Sequence, residues 1–468
     1  MKKEQQKKEQ QKKENILGTA PIKDLLVKFA VPSIIAMLVS ALYNIVDQLF
    51  IGQSVGTLGN AATNVAFPLS TSCVAISLLL GIGGASAFNL AMGEGDKEKA
   101  PHYIGNAITC LLVLSVLLML VSEIFLTPML KLFGATTNVL EYAKTYVSIT
   151  AIGFPFLILA TGGGHLVRAD GSPRFMMISN LVGAIINTVL DAVFIFGFDM
   201  GMKGAALATI IGQICSGILV IAYLTHFKTV KLTMAHLLPK WEYIGKVIAL
   251  GASPFFNQIA MMIVQVLMNQ SLTYYGAQSV YGEDIPLACA GIINKVSMVF
   301  FSIIIGISQG MQPIASFNYG AKNWERVRNV YKLAMRSGFV ISIFAFVLFQ
   351  TMPRQIISLF GKGDSEMYYQ FAILYFRIFL FFTFVNCVQP IVANFFTAIG
   401  KPKKGIFLSL TRQIIFFLPC LLILPQFLGI DGIMYTGPVA DCVAAVIGIV
   451  MGVQEIRRLK GYMAKEES

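Results

Sequence analysis

Two acidic residues lie inside long apolar segments of this chain. Asp47 lies near the far end of the segment 31–52, which is long and apolar enough to cross a bilayer as a helix. Asp191 lies in a second such segment, at 175–197. A carboxylate within a membrane span is costly, so an acid at such a position is by default a candidate for function. The chemistry open to it is the binding of a proton or a cation.

The spacing of these acids from basic residues predicts that they lie at a similar depth. Asp47 follows Lys28 by nineteen residues, and Asp191 follows Arg174 by seventeen. Because a helix rises about 1.5 Å per residue, both acids are expected in the outer half of the membrane. Pro32 weakens the hydrogen-bond ladder of the first span, so this span is predicted to be able to bend.

Neutral polar residues accompany the two acids. Asn187 precedes Asp191 by four residues and shares its helix face, and Thr209 lies at a similar depth on the next span. Asp47, Asn187, Asp191 and Thr209 are predicted to converge as an oxygen-rich site for Na⁺, or for a proton shared between carboxylates. The alternative is that they only hydrogen-bond helices together. We favour function, because two unpaired acids at one depth are costly if idle.

A second polar set lies in the C-terminal half. Lys295, Arg377 and Asp441 each lie a similar distance in from the outer side, and they are predicted to form an ion-pair cluster with a structural role. A substrate or relay role is the alternative. Together with Asn269, which corresponds to Asp47 in the internal repeat described below, they are candidates to line a cavity in this half.

Composition places the chain among membrane proteins. It is 56% hydrophobic and only 13% charged, whereas soluble domains carry roughly 25% charged residues. A net charge of +12 would suggest nucleic acid in a soluble chain. Here the basic residues lie in short loops between apolar spans, so no nucleic-acid partner is expected.

The chain carries no pattern typical of an enzyme. Its seven cysteines and four histidines have neither metal-ligand nor redox spacing, and no G-x-x-x-x-G-K-[ST] occurs. We therefore expect neither a resident metal nor a cofactor, apart from a coupling ion, H⁺ or Na⁺.

Apolar segments predict an all-α polytopic membrane protein with twelve spans. Lys and Arg concentrate in the loops on the side of the N-terminus, so both termini are predicted to be cytoplasmic. The predicted spans are 25–51, 61–91, 103–126, 140–161, 175–197, 204–226, 246–274, 286–316, 330–351, 366–392, 405–426 and 432–456.

The two halves of the chain repeat each other. Counting from Pro32 and Pro254, Asp47 falls opposite Asn269, and later loops correspond as well. Each repeat contains six spans, an even number, so both copies enter the membrane from the same side as a parallel repeat. The predicted organisation is a cytoplasmic polar tail at 1–20, an N-terminal lobe at 21–226, a cytoplasmic linker at 227–245, a C-terminal lobe at 246–459 and a cytoplasmic tail at 460–468.

These features resemble the multidrug and toxin extrusion family of secondary transporters. The resemblance covers about residues 21–456. It rests on the two six-span repeats, the spacing of Pro32 and Asp47, GDKEKA after the second span, the loop RADGSPRF and the stretch NTVLDAVFIFGFDMGMKGAALAT. The chain is most similar to a bacterial branch with acids on the first and fifth spans.

In that branch, the resemblance implies that the residues matching Asp47, Asn187, Asp191 and Thr209 form the cation site, and that the span bends at Pro32. Another branch has acids on the seventh and tenth spans, where this chain has Gln265, Asn269 and Arg377. That second site is therefore expected to be absent.

The resemblance implies a multidrug efflux antiporter that exchanges organic cations and amphipathic drugs for H⁺ or Na⁺ by alternating access. We expect a monomer in the bacterial plasma membrane, in contact with lipid and with small-molecule drugs. One alternative is a flippase for a lipid-linked oligosaccharide or cell-wall precursor, which would need a more basic cavity. A membrane scaffold is another, although a scaffold needs neither the repeat nor the buried acids.

Overall fold

The computed structural model describes residues 15–282, 284–359 and 366–466, and these ranges contain helices but no strand. Eleven helices in them are long and apolar enough to cross a membrane, and two shorter helices, bent by 55°, form a twelfth span. The predicted all-α fold with twelve spans is thus confirmed. Residues 1–14 and 467–468 of the predicted tails lie outside the described residues.

The first lobe contains six spans and two short helices. A further short helix, α1, precedes it. Their bounds are α1 (Ile16–Thr19), α2 (Ile22–Ser54), α3 (Thr57–Glu94), α4 (Ala100–Ile124), α5 (Leu126–Leu132), α6 (Thr137–Ile152), α7 (Phe154–Ala169), α8 (Pro173–Asp191) with a π-helical continuation (Ala192–Gly197), α9 (Gly201–Leu224) and α10 (Met234–Leu237).

The second lobe repeats this arrangement. Its bounds are α11 (Trp241–Ala277), α12 (Asp284–Gly320), α13 (Trp324–Thr351), α14 (Pro353–Ser358), α15 (Glu366–Phe379) with a 3₁₀ turn (Phe381–Val385), α16 (Val388–Ala398), α17 (Pro402–Leu410) with a π-helical continuation (Thr411–Phe417), α18 (Leu418–Leu428) and α19 (Ile430–Glu466).

Two predicted spans differ from the structure in shape. The fourth was predicted as one helix at 140–161, but it breaks at Gly153 between α6 and α7. Pro155 in the first turn of α7 explains the break, because proline has no N–H to bond the Ala151 carbonyl one turn earlier and its ring clashes with that carbonyl. The tenth was predicted to reach 392, but regular helix gives way to the 3₁₀ turn, where Phe382 has ψ of 15°.

The first helix of each lobe packs partly in the other lobe. Leu25 and Phe29, near the start of α2, belong to the hydrophobic core of the second lobe. Val247 and Leu250, near the start of α11, belong to the core of the first lobe. The lobes are therefore interlocked on the side where α2 and α11 begin, which we call the inner side.

Large apolar side chains cover the outer surface of both lobes. Val113 on α4 is 59% exposed and Phe344 on α13 is 69% exposed. Such exposure would be costly in water but suits contact with lipid, where only the backbone must satisfy its hydrogen bonds internally.

Candidate functional site

The fifth span places Asn187 and Asp191 on one buried face. Pro173 starts α8 in its first turn, where a proline is tolerated because its missing N–H would have no helical partner. One turn separates Asn187 from Asp191, and their exposed fractions are only 3% and 0%. A π-helical segment begins directly after Asp191. Such segments are rare and occur frequently at functional sites.

Asp47 on α2 meets Asp191 on α8. The two carboxyl groups contact each other at hydrogen-bonding range. Oδ1 of each acid is buried without a hydrogen-bond partner. None of the ion pairs among the described residues includes either acid. Two carboxyl groups this close either share a proton or bind a cation between them, because two adjacent negative charges repel each other.

Asn187 links this acid pair to the sixth span. Its Nδ2 donates to Thr209 Oγ1 at 3.4 Å. With the amide turned over, its nitrogen would instead donate to Asp191 Oδ2 at 3.3 Å, and its oxygen would accept from the Thr209 N–H at 3.1 Å. Either orientation connects Asn187 with Thr209. The structure thus brings all four residues of the first-lobe set together.

Tyr146 on α6 joins the set from the fourth span. Its hydroxyl contacts the Thr209 side chain and is near enough to Asp47 and Asp191 to interact with their charges. Sequence reasoning missed this residue, because its only signal is a phenol within a mostly apolar span. With Tyr146, the site offers carboxylate, amide and hydroxyl oxygens, a donor set that suits a hard cation such as Na⁺ as well as a shared proton.

Pro32 lies within a helix that runs without a break from Ile22 to Ser54. Its side chain is buried. The proline lies in the inner part of α2, close to Phe29 and other residues that pack in the second lobe.

The predicted cluster of Lys295, Arg377 and Asp441 is wrong. Asp441 instead accepts from Arg412 Nε at 2.5 Å and from Asn386 Nδ2 at 2.8 Å. Neither Lys295 nor Arg377 takes part in any ion pair among the described residues, and Arg377 is exposed.

Helix register explains this difference. Arg412 lies beyond the end of α17, in the π-helical segment Thr411–Phe417, where it reaches Asp441 on α19. The side chain of Arg412 is 17% exposed and that of Asp441 only 3%. This pair is therefore a buried ion pair within the second lobe.

A chain of amides takes the place of the acids in the second lobe. Gln265 Nε2 donates to Asn269 Oδ1 at 3.0 Å, and Gln265 Oε1 accepts from Asn294 Nδ2 at 3.3 Å. Asn269 is exposed and borders a cavity of about 620 Å³ on α11 and the start of α12. The corresponding first-lobe residue is Asp47. The second lobe therefore has neutral amides where the first lobe has a carboxyl group.

The MatE family model matches residues 32–193 and 255–422, one segment in each lobe and together more than half of the chain. The chain belongs to the MatE family. This confirms the resemblance to multidrug and toxin extrusion transporters that the sequence motifs indicated.

Two curated relatives of this MatE protein are called multidrug export protein MepA. The protein from Staphylococcus saprophyticus is 23% identical over 424 residues, which cover 90% of this chain and 92% of the relative. The protein from Staphylococcus aureus strain MRSA252 is 22% identical over 433 residues, covering 92% and 94%. Together with the candidate spans, these bacterial relatives indicate a multi-pass protein of the plasma membrane.

Solved structures share the MatE fold. One is an outward-facing conformation of a multidrug resistance MATE family transporter, with a TM-score of 0.87, 22% identity and coverage of 95% of this chain and 99% of that chain. A transporter of the MOP superfamily from Pyrococcus furiosus, whose binding pocket is described as having reverse polarity, has the same TM-score and identity and covers 95% and 98%.

Proposed function

We propose that this protein is a multidrug efflux antiporter that exports organic cations and amphipathic drugs in exchange for H⁺ or Na⁺. It is a secondary transporter and not an enzyme, as its family membership implies. The observation that carries the proposal is the contact between the carboxyls of half-buried Asp47 and buried Asp191, neither of which has a basic partner among the described residues. Such a pair is costly unless it binds an ion.

The coupling ion binds at Asp47, Asn187, Asp191 and Thr209, and no other cofactor takes part. Tyr146 contributes its hydroxyl to the same site. Because four helices meet there, binding of a cation draws them together, and its loss lets them separate. Ion and drug must bind with different affinity to the two conformations of the transporter, since otherwise no coupling results.

The interlocking of the lobes supports alternating access as the transport mechanism. In this conformation the inner side is closed by α2 and α11, which pack across the lobe boundary. Opening of the inner side would move the first turns of α2, and Pro32 is the point at which that helix bends. Both termini lie on the cytoplasmic side, in accord with the excess of Lys and Arg in the inner loops.

The partners are small-molecule drugs and membrane lipid, with no nucleic acid, and the protein acts as a monomer. Each lobe carries its own hydrophobic core, and the ion site lies wholly within one chain.

Ethidium efflux from everted membrane vesicles tests this function. Either a pH gradient or a Na⁺ gradient is imposed on vesicles containing the wild-type protein, Asp47→Asn or Asp191→Asn. The matched control is Asp199→Asn, at an exposed acid whose φ of 51° asparagine tolerates well.

We expect one gradient to drive efflux in the wild type and in the control, and neither gradient to drive it in the two site variants. Undiminished efflux in both site variants would remove the acid pair from the mechanism. Absence of efflux from well-expressed wild-type protein with every amphipathic cation tried would overturn the antiporter proposal.

A further inference from the structure

Arg168, at the inner end of α7, is a buried cation without a counter-ion. Its side chain is only 2% exposed. None of the ion pairs among the described residues includes it. A buried charge normally has a paired partner, since an unpaired one costs a large desolvation free energy. Packing alone therefore does not explain why the charge of Arg168 is buried.

The guanidinium of Arg168 is held by a nitrogen acceptor at Nη1, whereas its Nε–Nη2 edge has only a weak sulfur acceptor. Nη1 lies 3.2 Å from His165 Nδ1, and because arginine can only donate, this histidine nitrogen must accept. Nη2 has only a thioether acceptor, the sulfur of Met176 at 3.1 Å, and Nε has no partner. The edge formed by Nε and Nη2 is one that can bind a carboxylate with two parallel hydrogen bonds.

Other buried polar atoms near Arg168 also lack partners. Ser86 Oγ and Asn89 Oδ1 on α3, and Gln309 Oε1 on α12, make no hydrogen bond. Together with Arg168 and His165 they line a small cavity of about 10 Å³, which holds at most one water molecule. We call these five residues the Arg168 cluster. Unpartnered buried polar groups are few in folded proteins, so a group of them in one place calls for an explanation.

The cavity lies at the boundary between the lobes. Ser86, Asn89, His165 and Arg168 belong to the first lobe, and Gln309 belongs to the second. Nearby, the lobes are pressed together at Gly93, where a Cβ would lie 2.0 Å from the Phe317 oxygen. When the lobes part on the inner side, the first-lobe members of the cluster become part of the surface that faces the cytoplasm.

We propose that the Arg168 cluster binds the carboxylate of an amphipathic substrate in the inward-facing state. Arg168 supplies the permanent positive charge, and Ser86 and Asn89 supply neutral polar groups beside it. Closure of the inner side shrinks the cavity to the size of one water molecule, which forces the carboxylate out of the cluster and toward the opposite opening. This inference rests on the proposed drug efflux.

A pair of dyes that differ in one carboxylate tests this proposal. Rhodamine B carries a carboxylate beside its delocalised cation, and its ethyl ester carries the cation alone. Efflux of both dyes is measured in vesicles with the wild-type protein, Arg168→Gln, Arg168→Lys and the control Arg174→Gln. Arg174 is an exposed arginine on the same side of the first lobe.

We expect wild-type protein and the Arg174→Gln control to export both dyes. The ratio of rhodamine B to ester efflux should fall about tenfold in Arg168→Gln, the size expected for loss of one charge-assisted contact. Arg168→Lys should give an intermediate ratio, since lysine keeps the charge but not the planar fork.

Three outcomes would overturn the inference. A wild-type protein that exports the ester but not rhodamine B has no carboxylate site, whatever the variants do. Equal loss of efflux of both dyes in Arg168→Gln would assign Arg168 to closure of the lobes. If Arg168→Gln exports both dyes at the wild-type rate and ratio, Arg168 has no role in binding the carboxylate. Failure of wild-type protein to export the ester as well would instead contradict the proposed function.

Discussion

Gly83 on α3 lies directly against the backbone of Val247 on α11, across the boundary between the lobes. A Cβ on Gly83 would lie 2.0 Å from the Val247 carbonyl oxygen, and a Cβ on Gly251 would lie 1.7 Å from that of Leu79. Glycine at these positions lets two helices approach so closely that no side chain fits between them. Closure of the inner side therefore requires glycine at both Gly83 and Gly251.

Gly83→Ala is expected to destabilise the closed inner side by about 1–3 kcal/mol, because the added methyl group overpacks the contact. The transporter should then populate the inward-facing state more and export drug more slowly. Spin labels at Lys97 and Ala321, exposed on the inner side of the two lobes, report the separation as a distance distribution.

Gly245→Ala is the matched control for this substitution. Gly245 lies on α11 with no atom within 4 Å of a Cβ built there. The Gly245→Ala variant should therefore give the same spin-label distance distribution as wild type. A Gly83→Ala distribution indistinguishable from the control would show that this contact does not govern closure.

Tyr146→Phe should weaken ion coupling without abolishing it. The substitution removes the hydroxyl that contacts Thr209 but leaves both carboxyls in place. A hydrogen bond at a charged site contributes about 1.5–3 kcal/mol, so the ion concentration for half-maximal efflux should rise roughly tenfold or more. Tyr142→Phe, on an exposed tyrosine one turn earlier on α6, should leave that concentration unchanged. An equal effect of both substitutions would contradict a place for Tyr146 in the site.

Asp441→Asn should destabilise the second lobe, because it leaves the Arg412 guanidinium buried without its charge partner. Loss of one member of a buried ion pair costs about 3–5 kcal/mol. The double variant Arg412→Met with Asp441→Leu should recover much of this loss, since it removes both charges. Thermal unfolding in detergent measures the effect, with Arg377→Met as the exposed control. A double variant as unstable as Asp441→Asn would argue that these charges do more than satisfy each other.

Asp96 in the GDKEKA motif should contribute a pH-dependent part of the stability. Its Oδ1 accepts from the Lys99 N–H at 3.0 Å and its Oδ2 pairs with Lys99 Nζ at 3.3 Å. The backbone hydrogen bond from Lys99 is the main cause that lowers the pKa of Asp96 from its ordinary value of 3.8. Because the folded value is the lower one, this stabilisation is complete above the unfolded pKa and is lost as the pH falls through the folded pKa.

Asp96→Asn keeps an acceptor but cannot titrate, so the decline of the unfolding temperature in acid should become shallower than in wild type. Asp24→Asn, at an exposed acid on α2, controls for the loss of one negative charge. If the unfolding temperature of Asp96→Asn falls as steeply in acid as that of the Asp24→Asn control, Asp96 is not a cause of the acid destabilisation.

Most of the architecture was predictable from the sequence alone. The twelve spans and the family follow from local patterns, because the need for an apolar stretch of sufficient length and the cost of a charge inside it are both properties of short segments. The bend at Gly153 was not predicted, although Pro155 was a local signal for it.

The sequence determined which residues are candidates, and only the tertiary structure decided which of them meet. Asp47 and Asp191 stood out because carboxylates are rare in spans, and depth alone indicated that they lie at one level. Tyr146 and the pairing of Asp441 with Arg412 depend on how each helix is rotated and crossed. Helices that are apolar all round carry little information about rotation, because lipid and protein interior accept the same side chains.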